Sequence, residues 1–226
     1  MAVSDSIPVL AALVGRPQPY GPDGEPSAYY RRQVDGRVVV GPLGIEGDQP
    51  ADPVHHGGID KALHHYPFDH YASFAAERPE HAAVFDQGYG VFAENIATAG
   101  WTEWDVCLGD RLLLGTVEVE ISEGRSPCWK LGHRFGDPSM VAAVVRTRRA
   151  GWYYRVLRPG QFGGGDTLRL IARPYPEWPV ARAFGILIVG DGDPGELAEL
   201  AALPGLGSGW KRRADARLTA AGRHQG

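Results

Sequence analysis

The chain has 226 residues, a formal net charge of −4 and two cysteines, and its charged and apolar fractions are ordinary. This length allows one well-buried core with a small appendage, and the composition argues against a disordered or fibrous protein. The net charge gives no reason to expect a nucleic-acid partner, and two cysteines make neither a disulfide framework nor a zinc knuckle. The sequence shows neither a secretory-signal pattern nor a membrane span, so we expect a cytoplasmic protein with free thiols.

The first part of the chain is expected to form short strands separated by turns rich in glycine and proline. Val9–Val14 is predicted as a strand and Gly15–Ser27 as a loop. Tyr29–Val34 and Arg37–Val40 flank an Asp–Gly pair, which predicts a hairpin with a type I′ turn. Pro67–Glu77 begins with a proline and carries apolar residues at helical spacing, which predicts the first helix.

Strand patterns predominate in the middle of the chain, with one helix among them. Leu112–Leu114 and Val117–Ile121 are predicted strands on either side of a Gly–Thr turn. Asp137–Arg148 has apolar residues at helical spacing, whereas Trp152–Leu157 and Thr167–Ile171 are predicted strands around glycine-rich turns. Many short strands with interspersed helices indicate a mixed α/β class built on a barrel or a sandwich.

The end of the chain has a different pattern, in which three helical segments follow one another. The second opens at Asp193–Pro194 and the third at Ser208. We therefore predict two units, a β-rich domain at 1–175 and a small three-helix module with a tail at 176–226. The module is too small for a large core of its own, so we expect it to dock on the first unit or on a partner.

The stretch Ser126–Leu131 presents one thiol in a basic, turn-like setting. Pro127 restricts the backbone, which predicts that Cys128 occupies a constrained corner outside regular structure. Arg125 and Lys130 flank the thiol, and nearby positive charge favours the thiolate, the form that attacks electrophiles or binds soft metals. A buried structural cysteine is the alternative, and the local sequence favours neither.

A second cluster combines histidines, glycines and a lysine. His55 and His56 can donate ring N–H groups, and Lys61 can add a point charge for a phosphate. A tight turn with one packed histidine is the alternative. The ligand spacing of a helical zinc site is absent, so a histidine-based zinc site is not expected, and we interpret His64 and His65 as polar residues of a helix face.

Three further residues stand out from their apolar surroundings. Asn95 is either an inward-pointing binding residue or a brace for a neighbouring loop. Arg155 lies in an apolar and aromatic strand and needs a partner, which is a carboxylate such as Asp48 or an anionic ligand. Cys107 has no adjacent positive charge and is expected to be inert packing.

Taken in order, six segments resemble the MOSC domain family, and within it the stand-alone bacterial proteins of the YiiM type. The segments are Gly44–Asp48, His55–Ala62, Glu94–Asn95, Val106–Leu112, Arg125–Leu131 and Gly151–Val156. The helical end of the chain, with Leu203 and Trp210–Arg212, is similar to the three-helix extension of such proteins. Each segment alone is weak evidence, whereas the ordered set is specific and covers nearly the whole chain.

One position departs from the family pattern. The family usually has Phe-Gly-Glu-Asn where this chain has Phe92–Asn95, with Ala93 in place of the glycine. If the glycine adopts a positive φ, an alanine at that position is strained. The loop that holds Asn95 is then expected to differ from that of the family.

The resemblance implies a MOSC-type β-barrel with peripheral helices that holds the pterin-based molybdenum cofactor, with Cys128 as the protein ligand of the metal. A thiolate suits this metal, because the cofactor already binds it through soft dithiolene sulfurs. The cofactor also carries a phosphate, which needs charge-assisted donors. The cofactor-binding residues that follow are His55, His56, Lys61, Asn95, Arg125, Lys130 and Arg155.

Members of this type are similar to reductases of N-hydroxylated compounds, including hydroxylaminopurine base analogues. The resemblance thus implies reduction of N–OH to N–H on a small-molecule substrate, with Cys128 and His56 as catalytic residues. We expect His56 to be the proton donor, because an unperturbed histidine titrates near neutral pH.

The source of electrons and the class of function leave alternatives open. The sequence has no flavin, haem or iron–sulfur motif, so a separate reductase is expected as the electron donor. The helical module can dock that reductase, pack on the barrel or form a homodimer. The rival functions are a non-catalytic carrier, store or sensor of the cofactor, and a thiol enzyme in which Cys128 is the nucleophile.

Overall fold

A computed structural model describes residues 4–49 and 57–223, and His55 and His56 lie outside this part of the chain. Within it, the chain forms thirteen β-strands and seven α-helices. The strands are β1 (Ser6–Val14), β2 (Gln18–Tyr20), β3 (Glu25–Ser27), β4 (Arg32–Gln33), β5 (Arg37–Gly41), β6 (Gly44–Ile45), β7 (Leu63–Pro67), β8 (Ile96–Thr98), β9 (Arg111–Leu114), β10 (Val117–Gly124), β11 (Trp152–Arg158), β12 (Gly160–Gly163) and β13 (Thr167–Ala172). The helices are α1 (Asp69–Glu77), α2 (Ala82–Phe85), α3 (Trp129–Phe135), α4 (Ser139–Thr147), α5 (Val180–Phe184), α6 (Pro194–Ala202) and α7 (Ser208–Arg223).

Seven of these strands close into a barrel, which confirms the predicted mixed α/β class and its β-barrel. Their order is β13–β9–β10–β11–β7–β8–β1, and the pairing of β1 with β13 closes the ring. Neighbouring strands are antiparallel except β7 and β8, which run parallel. In β10, Val117, Val119 and Ile121 are fully buried and alternate with partly exposed residues as far as Ile121, the period-two pattern of a strand with one buried face.

Three predictions about the first part of the chain are wrong. β4 pairs with β1, whereas β5 pairs with β12 and β6, so the turn at Asp35–Gly36 joins different sheets and is not the tip of a hairpin. Gly36 does adopt a φ of 80°, which accounts for the turn signal in the sequence. The predicted loop at Gly15–Ser27 contains the short hairpin of β2 and β3. His64 and His65 do not lie on a helix, because they belong to the buried strand β7.

The three C-terminal helices, α5 to α7, pack on the barrel and share its core. Trp210 is 1 % exposed and lies so close to β10 that a Cβ on Gly124 would be 2.6 Å from its ring. One cluster of buried side chains contains Trp152 of the barrel together with Leu200 and Trp210 of the helices. In the described part of the chain, each helix is too short or too polar to cross a bilayer. The helical unit is thus stabilised by the surface of the barrel.

Candidate functional site

Cys128 lies where β10 has ended and α3 begins. It is the N-cap residue of α3 and has an extended backbone, with a φ of −129° and a ψ of 175°. Its carbonyl accepts a hydrogen bond from the Leu131 N–H at 3.0 Å. The thiol is partly exposed, whereas Cys107 is buried and burial raises the pKa of its thiol to about 11. The prediction that Cys128 occupies a constrained corner is confirmed, and Cys107 has the environment of a packed, inert thiol.

Cys128 lines a pocket of about 740 Å³, a volume that includes the open mouth. The wall is built from the segment after β3, the start of β7, the loop between β10 and α3, and β11. Lys61, Asn95, Arg125 and Lys130 line the same pocket. Four residues that the sequence analysis assigned to cofactor binding therefore meet around the thiol.

Arg125 places a buried positive charge in this pocket. Its side chain has no ion-pair partner among the described residues, and its Nη1 has no hydrogen-bond partner there. Burial opposes the charge, but the hydroxyls of Tyr29 and Tyr153 and the thiol of Cys128 raise the pKa of Arg125, so the guanidinium stays protonated. A buried cation is costly unless an anion compensates it, so the pocket is suited to an anionic ligand.

Tyr29 and His64 add two more unpaired polar atoms to the pocket. The Tyr29 hydroxyl and His64 Nε2 are buried without a hydrogen-bond partner among the described residues. His64 Nδ1 lies 3.1 Å from the Ala93 carbonyl, so we assign the proton to Nδ1, which leaves Nε2 as an acceptor. Burial and then Arg125 lower the pKa of His64 well below its usual range, and burial raises the pKa of Tyr29. The pocket thus offers a cation, a protonated hydroxyl and a neutral imidazole.

Asn95 braces the wall of the pocket. Its Oδ1 accepts a hydrogen bond from the His64 N–H at 3.0 Å, and its Nδ2 donates to the Leu13 carbonyl at 3.2 Å. Nδ2 also donates to Asp48 Oδ2 at 3.0 Å, and Asp48 pairs with Arg31 at 2.8 Å. The amide therefore holds β7, β1 and the Asp48 segment together while it lines the pocket.

The loop before Asn95 carries backbone strain. Ala93 has a φ of 61°, in the left-handed region that favours glycine, so the strain expected at this departure from the family pattern is confirmed. The buried carboxylate of Glu94 accepts hydrogen bonds from the N–H groups of Gly90 and Phe92 and from a tyrosine hydroxyl. These three bonds hold the loop in a conformation that alanine disfavours.

Arg155 is not among the residues that line the pocket. Its guanidinium binds Asp60 Oδ1 at 2.7 Å and Glu120 Oε1 at 2.8 Å. The partner of Arg155 is thus a carboxylate, one of the two expected alternatives, but it is not Asp48, which binds Arg31. The geometry therefore makes Arg155 part of an internal ion-pair network.

Lys61 and Lys130 reach the pocket with different neighbours. Lys61 Nζ lies 3.5 Å from Glu123 Oε1 and 5.8 Å from the centre of the Tyr153 ring. Lys130 Nζ lies 6.0 Å from the ring of Trp129, a residue whose side chain is exposed. Both ammonium groups add positive charge to the wall around Cys128.

The sequence analysis missed Tyr29 and His64 as site residues. Tyr29 falls in the predicted hairpin that does not form, and all five residues of β7 are buried, so His64 shows no alternation between apolar and polar neighbours. A strand buried on both faces lacks the period-two signal by which strands are recognised. The residues Leu63 to Pro67 therefore gave no indication that His64 lines a pocket.

Two family models match different parts of the chain. The model of the MOSC domain matches residues 52–169, and the model of the YiiM-like 3-alpha helix domain matches residues 178–221. Protein YiiM of Escherichia coli (strain K12) is 37 % identical over 198 residues, which are 88 % of this chain and 87 % of that protein. A protein of Gibberella moniliformis named "Reductase" is 40 % identical over 179 residues, but the match spans 79 % of this chain and only 31 % of that protein. The crystal structure of YiiM from Escherichia coli superposes with a TM-score of 0.76 at 31 % identity, covering 91 % of this chain and 94 % of that one.

Proposed function

The chain belongs to the MOSC domain family, and on that premise we propose that it binds a molybdenum–pterin cofactor in the Cys128 pocket and reduces N-hydroxylated compounds there. The observation that carries the proposal is the buried guanidinium of Arg125, which shares the pocket with the thiol and lacks an anionic partner in the described part of the chain. A ligand that combines a phosphate with a thiolate-binding metal satisfies both groups at once.

The donor set of the pocket fits such a cofactor. Cys128 would bind the metal, because its thiolate adds to a sulfur-rich set of ligands. Arg125, with Lys61 and Lys130, would bind the phosphate through charge-assisted hydrogen bonds. The Tyr29 hydroxyl and His64 Nε2 would bind polar edges of the pterin, which gives partners to two otherwise unpaired buried atoms.

The residues of the chain would orient the cofactor, exclude water and supply protons. When bound, the cofactor supplies two-electron chemistry at the metal. Reduction of a hydroxylamine to an amine consumes two electrons and two protons, breaks the N–O bond and releases water. His64 is a poor proton donor, because its ring is neutral and its Nδ1–H is bonded to the Ala93 carbonyl. We therefore keep His56 as the proposed proton donor and His55 as a proposed binding residue, both outside the described residues.

We propose that a separate reductase supplies the electrons. The sequence carries no flavin motif, and its two cysteines cannot hold a standard iron–sulfur cluster. The match to the Gibberella relative named "Reductase" covers only 31 % of that protein, so most of its length has no counterpart in this chain.

Metal analysis of two cysteine variants tests the proposal. The protein is purified anaerobically from cells supplied with molybdate, beside Cys128→Ser and the matched control Cys107→Ser. We expect nearly stoichiometric molybdenum in the wild type and the control, because Cys107 is buried away from the pocket. The Cys128→Ser protein should lose most of its molybdenum, and equal content in all three proteins would remove the thiol from the site.

An activity assay then separates the enzyme from its rivals. The loaded protein is given an N-hydroxylated purine and an artificial reductant, and amine formation is measured. Turnover supports the reductase, whereas bound molybdenum without turnover indicates a carrier, store or sensor of the cofactor. The absence of molybdenum from every protein, in cells with active cofactor synthesis, would favour the thiol enzyme.

A further inference from the structure

Two carboxylates of the barrel domain lie against the first turn of α7. The Ser208 N–H donates to Asp60 Oδ2 at 2.8 Å, and the Trp210 N–H donates to Glu123 Oε2 at 2.9 Å. The first N–H groups of a helix have no partner within the helix, and they favour negative charge nearby. The beginning of α7 and these carboxylates therefore satisfy each other.

Glycines allow this contact to be close. A Cβ on Gly207 would lie 2.4 Å from Glu123 Oε2, and a Cβ on Gly209 would lie 2.9 Å from Oε1 of the same residue. The Gly207 N–H also donates to the Ser122 carbonyl at 2.8 Å, which ties the entry of α7 to β10. The first turn thus has no space for side chains that would push it away from Glu123.

The same carboxylates bind basic residues on their other side. Glu123 Oε1 lies 3.5 Å from Lys61 Nζ, and Lys61 lines the Cys128 pocket. Asp60, which precedes Lys61 in the chain, binds Arg155 at 2.7 Å, and its carbonyl accepts a hydrogen bond from the Ser122 hydroxyl. The side chain of Glu123 is only 3 % exposed, so its charge needs the hydrogen bond from α7 as well as Lys61. Glu123 therefore links the helix end directly to the pocket lysine, and Asp60 links it to the residue before that lysine.

We propose that the first turn of α7 is a positioning element of the Cys128 pocket, which acts through Asp60 and Glu123 to hold Lys61 at the pocket wall. Asp60 fixes the backbone beside the lysine, and Glu123 fixes its ammonium group. The effect on cofactor binding rests on the proposed function, whereas the placement of Lys61 does not. The C-terminal helices then complete a site whose lining residues come from the barrel domain.

A proline at the start of α7 tests the hydrogen bond to Asp60. Ser208→Pro removes the donor N–H, and proline is tolerated in the first turn of a helix, where its ring does not clash with a preceding carbonyl. Ser208→Ala is the control for the side chain alone, because it keeps the N–H and removes the hydroxyl, which also acts on Asp60. Glu123→Gln is the second variant, since its amide oxygen still accepts the Trp210 N–H but it no longer carries the charge that faces Lys61.

The lysines provide a readout that needs no cofactor. Lys61, Lys130 and Lys211 are the three lysines of the chain, so reductive ¹³C-methylation gives few signals, which Lys→Arg variants assign. We expect the Lys61 signal to shift from its wild-type position towards that of the denatured chain in E123Q, and by a smaller amount in S208P, while the Lys130 signal stays. The S208A spectrum should lie closer to that of the wild type than the S208P spectrum does, because S208A keeps the N–H that donates to Asp60. A Lys61 signal unchanged in both S208P and E123Q overturns the proposal, even if one variant folds poorly.

The molybdenum content of the same proteins tests the consequence for the pocket. We expect it to fall about tenfold in S208P and E123Q relative to S208A, the change expected for one lost charge-assisted contact. Unchanged or higher content in E123Q would mean that Glu123 only neutralises Lys61, and it would overturn the positioning role. If the wild type itself holds no molybdenum, the proposed function fails, and the Lys61 signals alone decide this inference.

Discussion

Arg125 in the pocket and Arg155 in the ion-pair network carry the same guanidinium group, but only Arg155 has carboxylate partners among the described residues. In the network, Arg155 lies within 2.8 Å of carboxylate oxygens of both Asp60 and Glu120. In the pocket, Arg125 is only 5 % exposed and has no such partner among the described residues. When the chain supplies the carboxylates that neutralise a cation, the ion pairs stabilise the fold. A buried cation without such a partner is suited to an anionic ligand. The partners therefore separate the roles of two arginines that the sequence analysis placed in one class.

The largest expected effect is the loss of cofactor in Arg125→Gln. This variant removes the buried charge and its bidentate donor, so molybdenum content should fall about 100-fold, as expected for the loss of a strong charge-assisted pair. The free energy of unfolding should stay the same or rise, because an uncompensated buried charge is removed. Metal analysis and urea unfolding of the same preparation measure both quantities. Full molybdenum content in Arg125→Gln would show that the buried charge does not hold the cofactor, and Arg125 and Arg155 would then not differ in role.

The opposite pattern is expected for Arg155→Leu. This variant leaves Asp60 and Glu120 without their cation, and the free energy of unfolding should fall by about 2 kcal/mol, less than for a fully buried pair because the network is partly exposed to solvent. Its molybdenum content should fall far less than that of Arg125→Gln. If Arg155→Leu lost cofactor as completely as Arg125→Gln at unchanged stability, the two regions would not differ in role.

His64 and His65, which are neighbours in β7, differ in the same way, because one ring has an unpaired nitrogen and the other has none. His65 has both ring nitrogens bonded, to the Tyr154 hydroxyl at 2.9 Å and to Thr98 Oγ1 at 2.7 Å, whereas His64 keeps Nε2 unpaired. Burial lowers the pKa of His65 from 6.5 to about 3. Between these values the unfolded chain binds a proton that the folded protein excludes, so the free energy of unfolding falls as the pH falls.

Urea unfolding across this pH range measures the contribution of His65. The free energy should fall by about 1.4 kcal/mol for each pH unit per buried histidine between pH 6.5 and 3. His65→Gln removes one titrating group, so its curve should be flatter by that amount even if the variant is less stable at every pH. A curve parallel to that of the wild type would show that His65 is not held neutral.

The parts of the structure that could be predicted from the sequence depend on local signals. Pro127 gave the corner at Cys128, and the short apolar runs gave five of the seven strands of the barrel, all except β7 and β8. The partner of Arg155 could not be predicted, because Glu120 meets it only through the register of β10 against β11. The register of strands distant in sequence depends on the whole sheet, and a one-residue shift would change every cross-strand pair.

The same limit applies to the pocket. The ordered motifs pointed to Lys61, Asn95, Arg125 and Lys130, and the fold brings these residues together. The unpaired polar atoms of Tyr29 and His64 could be identified only in the three-dimensional structure, because a missing hydrogen-bond partner is not a property of any local segment. A sequence therefore indicates which charged residues are available, and the fold decides which of them stay unpaired.

The smallest expected effect is the change in the free energy of unfolding when the backbone strain at Ala93, in the wall of the pocket, is relieved. Ala93→Gly relieves a φ of 61°, worth about 1–2 kcal/mol, and loses the burial of one methyl group, worth about 0.8 kcal/mol. Glycine also costs about 0.5–1 kcal/mol of backbone entropy, so the free energy of unfolding should stay within about 1 kcal/mol of the wild type. Ala62→Gly is the matched control, because Ala62 is also buried and lines the pocket but has a φ of −60° and a ψ of −38°. Glycine relieves no strain there, so the lost methyl group and the backbone entropy should together destabilise by about 1.5 kcal/mol. A much smaller loss in Ala93→Gly than in Ala62→Gly would show that the strain lies at Ala93 itself, whereas equal losses would mean that Ala93 carries no strain.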